Sequence, residues 1–302
     1  MTFKILLFTM LPILCIAQVS HKEDILSNNN PSIERENLST KRNVMYNLEE
    51  IKVRWKKAAL DNCTGVPCVV APSFTCGTST VSDIDGNAYN TVSIGTQCWT
   101  KENLKVTKYN DGTLIPDLTA STSNPWAPTS GARTGYVDAG VTASYVGTFG
   151  YLYNWYAVND LRKLCPAGWH VPTDAEWTIM IQALDPSQVV DGTINGVQSA
   201  TEGTKLKSAV TNTSSGSGLG WDPATPTGPG GNNASGFSGL PGGVRINSGN
   251  FVYIRSQAYF WSAIETSDNS RAWCRDLNLN DGKVFRSSVD KSFGASVRCL
   301  ID

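Results

Sequence analysis

The chain has 302 residues, a formal net charge of -1, 17% charged residues and 27 glycines. Lysines and arginines are scattered rather than clustered, which excludes the basic footprint of a nucleic-acid-binding protein. The length suffices for a real core, and the Gly-, Ser-, Thr- and Asn-rich composition suits a loop-rich extracellular β protein better than a cytosolic enzyme.

Residues 1–17 read as a secretory signal. Lys4 supplies a basic start, Ile5 to Ile16 an apolar run, and Cys15-Ile16-Ala17 the small residues before Gln18. The run is short for a bilayer. Pro12-Ile13-Leu14 lacks the small residue usual before a lipidated cysteine, so export to the medium or cell surface is favoured, with at most a peripheral membrane attachment. Residues 18–43 are polar and aperiodic, a disordered leader. Within 44–60, Val44, Leu48, Ile51, Trp55 and Ala58 are spaced 4, 3, 4 and 3, a heptad seam with acids early and bases late. It is either one amphipathic helix lying on its own domain or a short oligomerising stalk. Residues 61–80 form a cysteine-containing linker to a main domain at 81–302.

In that domain Val81 to Ile84, the turn Asp85-Gly86-Asn87, and Tyr89 to Ile94 predict a hairpin. The dominant helix is Thr173 to Leu184. Thr173 and Glu176 form a capping box, and Trp177, Met180, Ile181 and Leu184 make one apolar stripe before Asp185-Pro186. A shorter helix is expected near Thr201 to Val210. Residues 216–235 read as a long surface loop. From Phe251 onward short strands alternate with polar turns, among them Asn280-Asp281-Gly282.

Seven cysteines follow the signal, and in an exported chain they read first as disulfides. Cys63 and Cys68 close a small loop. Cys76 and Cys98 flank the hairpin at nearly equal distance from its turn. Cys165, at the start of the helix, and Cys299, on the last strand, would join the two ends of the domain. Cys274 is left odd, free or buried. Zinc ligation lacks Cys/His clusters at ligand spacing.

The motifs then run in a familiar order: TVSIGTQCWTKENLK (91–105), YNDGT (109–113), GYLYNWYAV (150–158), LCPAGWHVPTDAEW (164–177), GFSGLPGGVR (236–245), YFWSAIE (259–265), AWCRDL (272–277) and SVRCL (296–300). Together they resemble the Fibrobacter succinogenes major paralogous domain. The resemblance implies an α+β, C-type-lectin-like fold, shared with formylglycine-generating enzymes, with short antiparallel strands and long loops. It also implies an exported bacterial surface protein, and it agrees with a Cys165–Cys299 pairing. Cys274 stands where relatives would carry an aromatic.

Trp155, Trp169, Trp177, Trp261 and Trp273 lie in strand or helix motifs and read as core. Trp126 and Trp221 lie in Pro/Thr/Gly-rich loops and are candidates for ligand stacking. On the C-terminal strands and turns, Tyr259, Asp268, Asn269, Arg271, Arg275, Asn278 and Arg286 are the other candidates for a ligand-binding face, set against an ordinary solvated sheet face. His170 reads as a satisfied, partly buried histidine, since no second histidine and no nucleophile signature accompany it. The paired cysteines of the formylglycine type have only Cys274 and Cys299 as a counterpart, and Cys299 is better explained by Cys165. No catalytic residue, metal or cofactor is therefore assigned. Calcium stays an alternative at Glu265, Asp268 and Asn269 or at Asn278, Asn280 and Asp281, whose Asx residues read first as turn formers. The expected function is a non-enzymatic binding or adhesion module for a glycan or surface protein. The alternatives are a structural head on an oligomerising stalk and, more remotely, a modifying enzyme of the formylglycine type.

Overall fold

The computed structural model describes residues 73–121, 128–137, 145–187, 190–209, 220–222 and 230–302. The signal, the leader, the heptad segment, the Cys63–Cys68 loop and Trp126 lie outside the described residues.

The first strands form where the sequence predicts them. β1 (Thr80–Ser82) pairs antiparallel with β2 (Ala88–Ile94), placing Val81 opposite Tyr89. The first strand stops short of the expected Ile84 because Asp83 diverts the backbone: its Oδ1 accepts the N–H groups of Asp85 and Asn87 at 3.0 and 2.9 Å. β3 (Gln97–Thr100) returns along β2. A small ladder joins β4 (Arg133–Thr134) to β5 (Leu152–Tyr153), with the one-turn helices α1 (Val146–Phe149) before β5 and α2 (Trp155–Val158) after it.

β6 (Trp169–His170) leads into α3 (Asp174–Leu184). The capping box is present: the Glu176 N–H donates to Thr173 Oγ1 at 3.2 Å and the Thr173 N–H to Glu176 Oε2 at 2.7 Å. Trp177, Met180 and Ile181 are buried. β7 (Gly196–Ser199) precedes α4 (Glu202–Leu206), a helix shorter than the sequence suggests. It ends because Lys207 turns extended, with φ -64° and ψ 139°, and buries its ammonium against the carbonyls of Asn278 and Asp281 at 3.0 and 2.7 Å.

The C-terminal half is sheet: β8 (Gly242–Arg245), β9 (Phe251–Ile254), β10 (Gln257–Glu265), β11 (Arg271–Asn278), β12 (Val284–Asp290) and β13 (Leu300–Ile301). Two main sheets result, in the orders β1-β2-β3-β13-β6 and β7-β12-β11-β10-β8-β9. β13 lies between β3 and β6, so the last strand closes onto the first sheet. The described part is thus mostly sheet with few helices, and two disulfides staple it: Cys76–Cys98 and Cys165–Cys299. The second spans a sequence separation of 134 residues, which in chain-entropy terms stabilises by about 5 kcal/mol. Cys274 is free and buried. Among the described residues no helix is long and apolar enough to cross a membrane.

One core holds Trp99, Trp177, Trp221, Phe237 and Phe260; Trp99, Trp177, Phe237 and Phe260 meet in tilted and edge-to-face contact, with the Trp99 and Trp177 rings 4.8 Å apart. Against it lies Arg298, fully buried, its guanidinium over the Phe237 ring at 4.4 Å. Its N–H groups donate to Asn103 Oδ1 at 2.7 Å and to the carbonyls of Thr100, Phe237 and Ser238 at 3.0, 2.8 and 3.0 Å. Burial lowers its proton affinity, but a guanidinium stays charged at neutral pH. One side chain thereby ties β3, the 237–238 loop and the terminal segment together. Arg298→Met leaves these acceptors without a donor and should cost about 3 kcal/mol or more. In urea the midpoint should fall with the slope unchanged; a loss below about 1 kcal/mol contradicts this role.

Candidate functional site

A strand's side chains alternate between faces, so the register of β10, β11 and β12 decides what the large sheet presents. Phe260 pairs with Arg275, Arg275 with Arg286, and Leu277 with Val284. This row faces α3 and the aromatic core. Tyr259 pairs with Asp276, Asp276 with Phe285, and Phe285 with Val197 of β7. This second row lies on the other face. Farther along that face, Trp261, Cys274 and Ala272 are covered by the core beneath α2. The Tyr259 end is open: Val197 is 39% exposed and Tyr259, Asp276 and Phe285 are half-buried.

Direct cross-strand neighbours have Cβ atoms roughly 5 Å apart, so the row sets an acidic residue between two aromatic ones. Ser287 Oγ donates to Asp276 Oδ2 at 2.6 Å. Gln257 and Asn278, themselves a cross-strand pair, flank the row, and Tyr259 OH donates to Gln257 Oε1 at 2.8 Å. Tyr253, 49% exposed, stands beside Tyr259. Burial pushes the Asp276 carboxyl up to about 6, with the Ser287 hydrogen bond opposing and the nearby Asp281 charge reinforcing. Burial also pushes the Tyr259 phenol up.

The residues singled out in the sequence fall into separate places. Tyr259 and Asn278 lie on the open face. Arg275 and Arg286 do not: they are 1% and 5% exposed, and both reach Asp174 at the start of α3, at 2.6 and 2.8 Å. The parity of β11 and β12 turns them inward. Arg286 also lies over the Trp273 ring at 3.3 Å. Trp221 is likewise no surface platform; it is 1% exposed in the core and its indole N–H donates to the Gly239 carbonyl at 3.1 Å. Its polar neighbours in sequence hide an inward turn. Asp268, Asn269 and Arg271 are exposed at the β10–β11 turn, at the opposite end of the strands from Gln257 and Asn278. There Asp268 serves the turn. Hydrogen bonds from Thr266 and then Ser270 hold its carboxyl down to about 2.

The oxygen donors considered for calcium are engaged within the chain. Asn278 Oδ1 accepts the Asn280 N–H at 2.9 Å, Asp281 Oδ1 accepts the Lys283 N–H at 3.0 Å, and Glu265 pairs with Lys291 at 2.5 Å. Among the described residues no three His, Cys, Asp or Glu side chains group as a metal site. His170 has both ring nitrogens beside carboxylates, Nδ1 at 2.7 Å from Asp302 and Nε2 at 3.1 Å from Glu176. It borders an apolar hollow of about 130 Å³ over Cys165, Trp169 and Ala263. Cys299 is bonded to Cys165, and burial pushes the Cys274 thiol up, so no reactive thiol pair stands among the described residues.

Asp276, Phe285 and Val197 escaped the sequence reading. Strand parity was the signal that could have found them: on one strand Arg271 and Arg275 cannot share a face with Asn278, whereas Asp276 must.

The family described as the Fibrobacter succinogenes major domain matches residues 92–300. That is well over half of the sequence, and the chain belongs to this family. Comparison with curated proteins and with solved structures gave no match.

The raised Asp276 carboxyl has a stability consequence. Its folded proton affinity exceeds that of an unfolded aspartate, so its contribution is present below about pH 4 and is lost as pH rises through about 6. Asp276→Asn should therefore stabilise the fold by about 1–2 kcal/mol near pH 7.5, and the gain should vanish near pH 4. A gain of equal size at both pH values in denaturant melts contradicts the assignment.

Proposed function

We propose that the protein is an exported, non-enzymatic binding module that engages a glycan on the open face of its large sheet. The observation that carries this reading is the row Tyr259–Asp276–Phe285–Val197, set side by side by the strand register. Aromatic faces supply flat apolar area for a sugar ring, and Asp276, Gln257 and Asn278 supply hydrogen-bonding groups around them. Export is supported by the disulfides, which persist in oxidising compartments, and by the apolar N-terminal run. A lectin-like ancestry fits the short strands, the Cys165–Cys299 staple and ligand recognition on the C-terminal strands. The buried Cys274 thiol and the bonded Cys165–Cys299 pair favour binding over catalysis.

A glycan array of the oxidised mature protein tests this reading. Reproducible binding is expected, and Tyr259→Ala should weaken it by about tenfold or more while the thermal melt stays cooperative. Binding unaffected by Tyr259→Ala places the ligand elsewhere. An array with no hits removes the glycan reading and leaves a protein partner or a structural head.

A further inference from the structure

We infer that the open row selects a sugar carrying an unsubstituted amine, with Asp276 taking the ammonium between the Tyr259 and Phe285 rings. This rests on the glycan reading and narrows it. Aromatic residues on both sides of a carboxylate suit a cation, because ring faces and carboxylate alike present negative charge. Cross-strand register makes the flanking direct on both sides: Tyr259 opposite Asp276, and Asp276 opposite Phe285. Ser287 holds one carboxylate oxygen, Oδ2, in a fixed position and so orients the other. The Asp281 charge reaches Asp276 and adds to the negative potential, against Arg275 on the opposite face. The amide groups of Gln257 and Asn278 border the row at the spacing of one cross-strand pair, and suit ring hydroxyls. An acetylated nitrogen has no charge for Asp276 and brings extra bulk to the same point.

The probes are short oligomers of β-linked glucosamine and their N-acetylated counterparts, titrated calorimetrically into the full mature protein and into Asp276→Asn. The titration is run at about pH 7, above the raised range of the Asp276 carboxyl. The amine oligomer should bind at least about tenfold tighter than the acetylated one, and Asp276→Asn should remove that preference. Since the asparagine variant is expected to be the more stable protein, lost binding in it does not reflect lost folding. Equal or tighter binding of the acetylated oligomer, or a preference that survives in Asp276→Asn, overturns the inference while the glycan reading stands. A protein that binds other array glycans but neither oligomer also overturns it. Absence of binding to any glycan overturns both.

Discussion

Asp174 fixes which side of the large sheet faces out. Its carboxylate sits in the first turn of α3, where the helix dipole favours an acid, and it receives Arg275 and Arg286 from adjacent strands. Arg275 also donates to Gln198 Oε1 at 2.6 Å and to the Asp174 carbonyl at 3.0 Å. Arg286 donates to the carbonyls of Thr193 and Ile194 at 3.2 and 3.0 Å. Two buried cations on one carboxylate are tolerable only because neutral acceptors complete their shells. Once this side of β11 and β12 is committed to the helix, the two-residue period commits Tyr259, Asp276 and Phe285 to the other.

The same device recurs wherever loops meet the core. Lys207, Arg245 and Arg298 are all essentially buried, and each is surrounded by backbone carbonyls. A loop-rich chain leaves many carbonyls without ladder partners, and each buried one needs a donor. A long cationic side chain carries several donors to such a place at once. In this fold, then, arginine and lysine act as internal cross-braces for irregular backbone, which explains why basic residues in polar motifs are poor guides to a ligand surface.

Elements with strong local signals were legible in the sequence. The capping box at Thr173, the hairpin around Asp83–Asn87 and the Cys76–Cys98 and Cys165–Cys299 pairings depend on near neighbours or on cysteine placement. Trp221 was not legible: a Gly/Pro-rich loop looks polar, and only the tertiary fold turns its indole onto Gly239. Arg275 and Arg286 were misplaced for a different reason. Charge suggests exposure, but their faces follow from strand parity, and their partner Asp174 is about a hundred residues distant in sequence. Asp276 adjoins Arg275 in sequence, and on a strand that adjacency puts it on the opposite face.

The face that remains open is small, mixed in polarity and rigidly supported, as a recognition surface on a sheet requires. The turn at Thr266–Arg271 is exposed too, but its polar groups serve one another: the Asn269 N–H donates to the Thr266 carbonyl and Ser270 to Asp268. The most direct measurement is hydroxyl-radical footprinting of the protein with and without saturating glycan. Protection at Tyr253, Tyr259 and Phe285, with residues 266–271 unchanged, is the predicted result. Protection confined to the 266–271 turn, with the Tyr259 row labelled as before, would contradict the assignment of the ligand to this face.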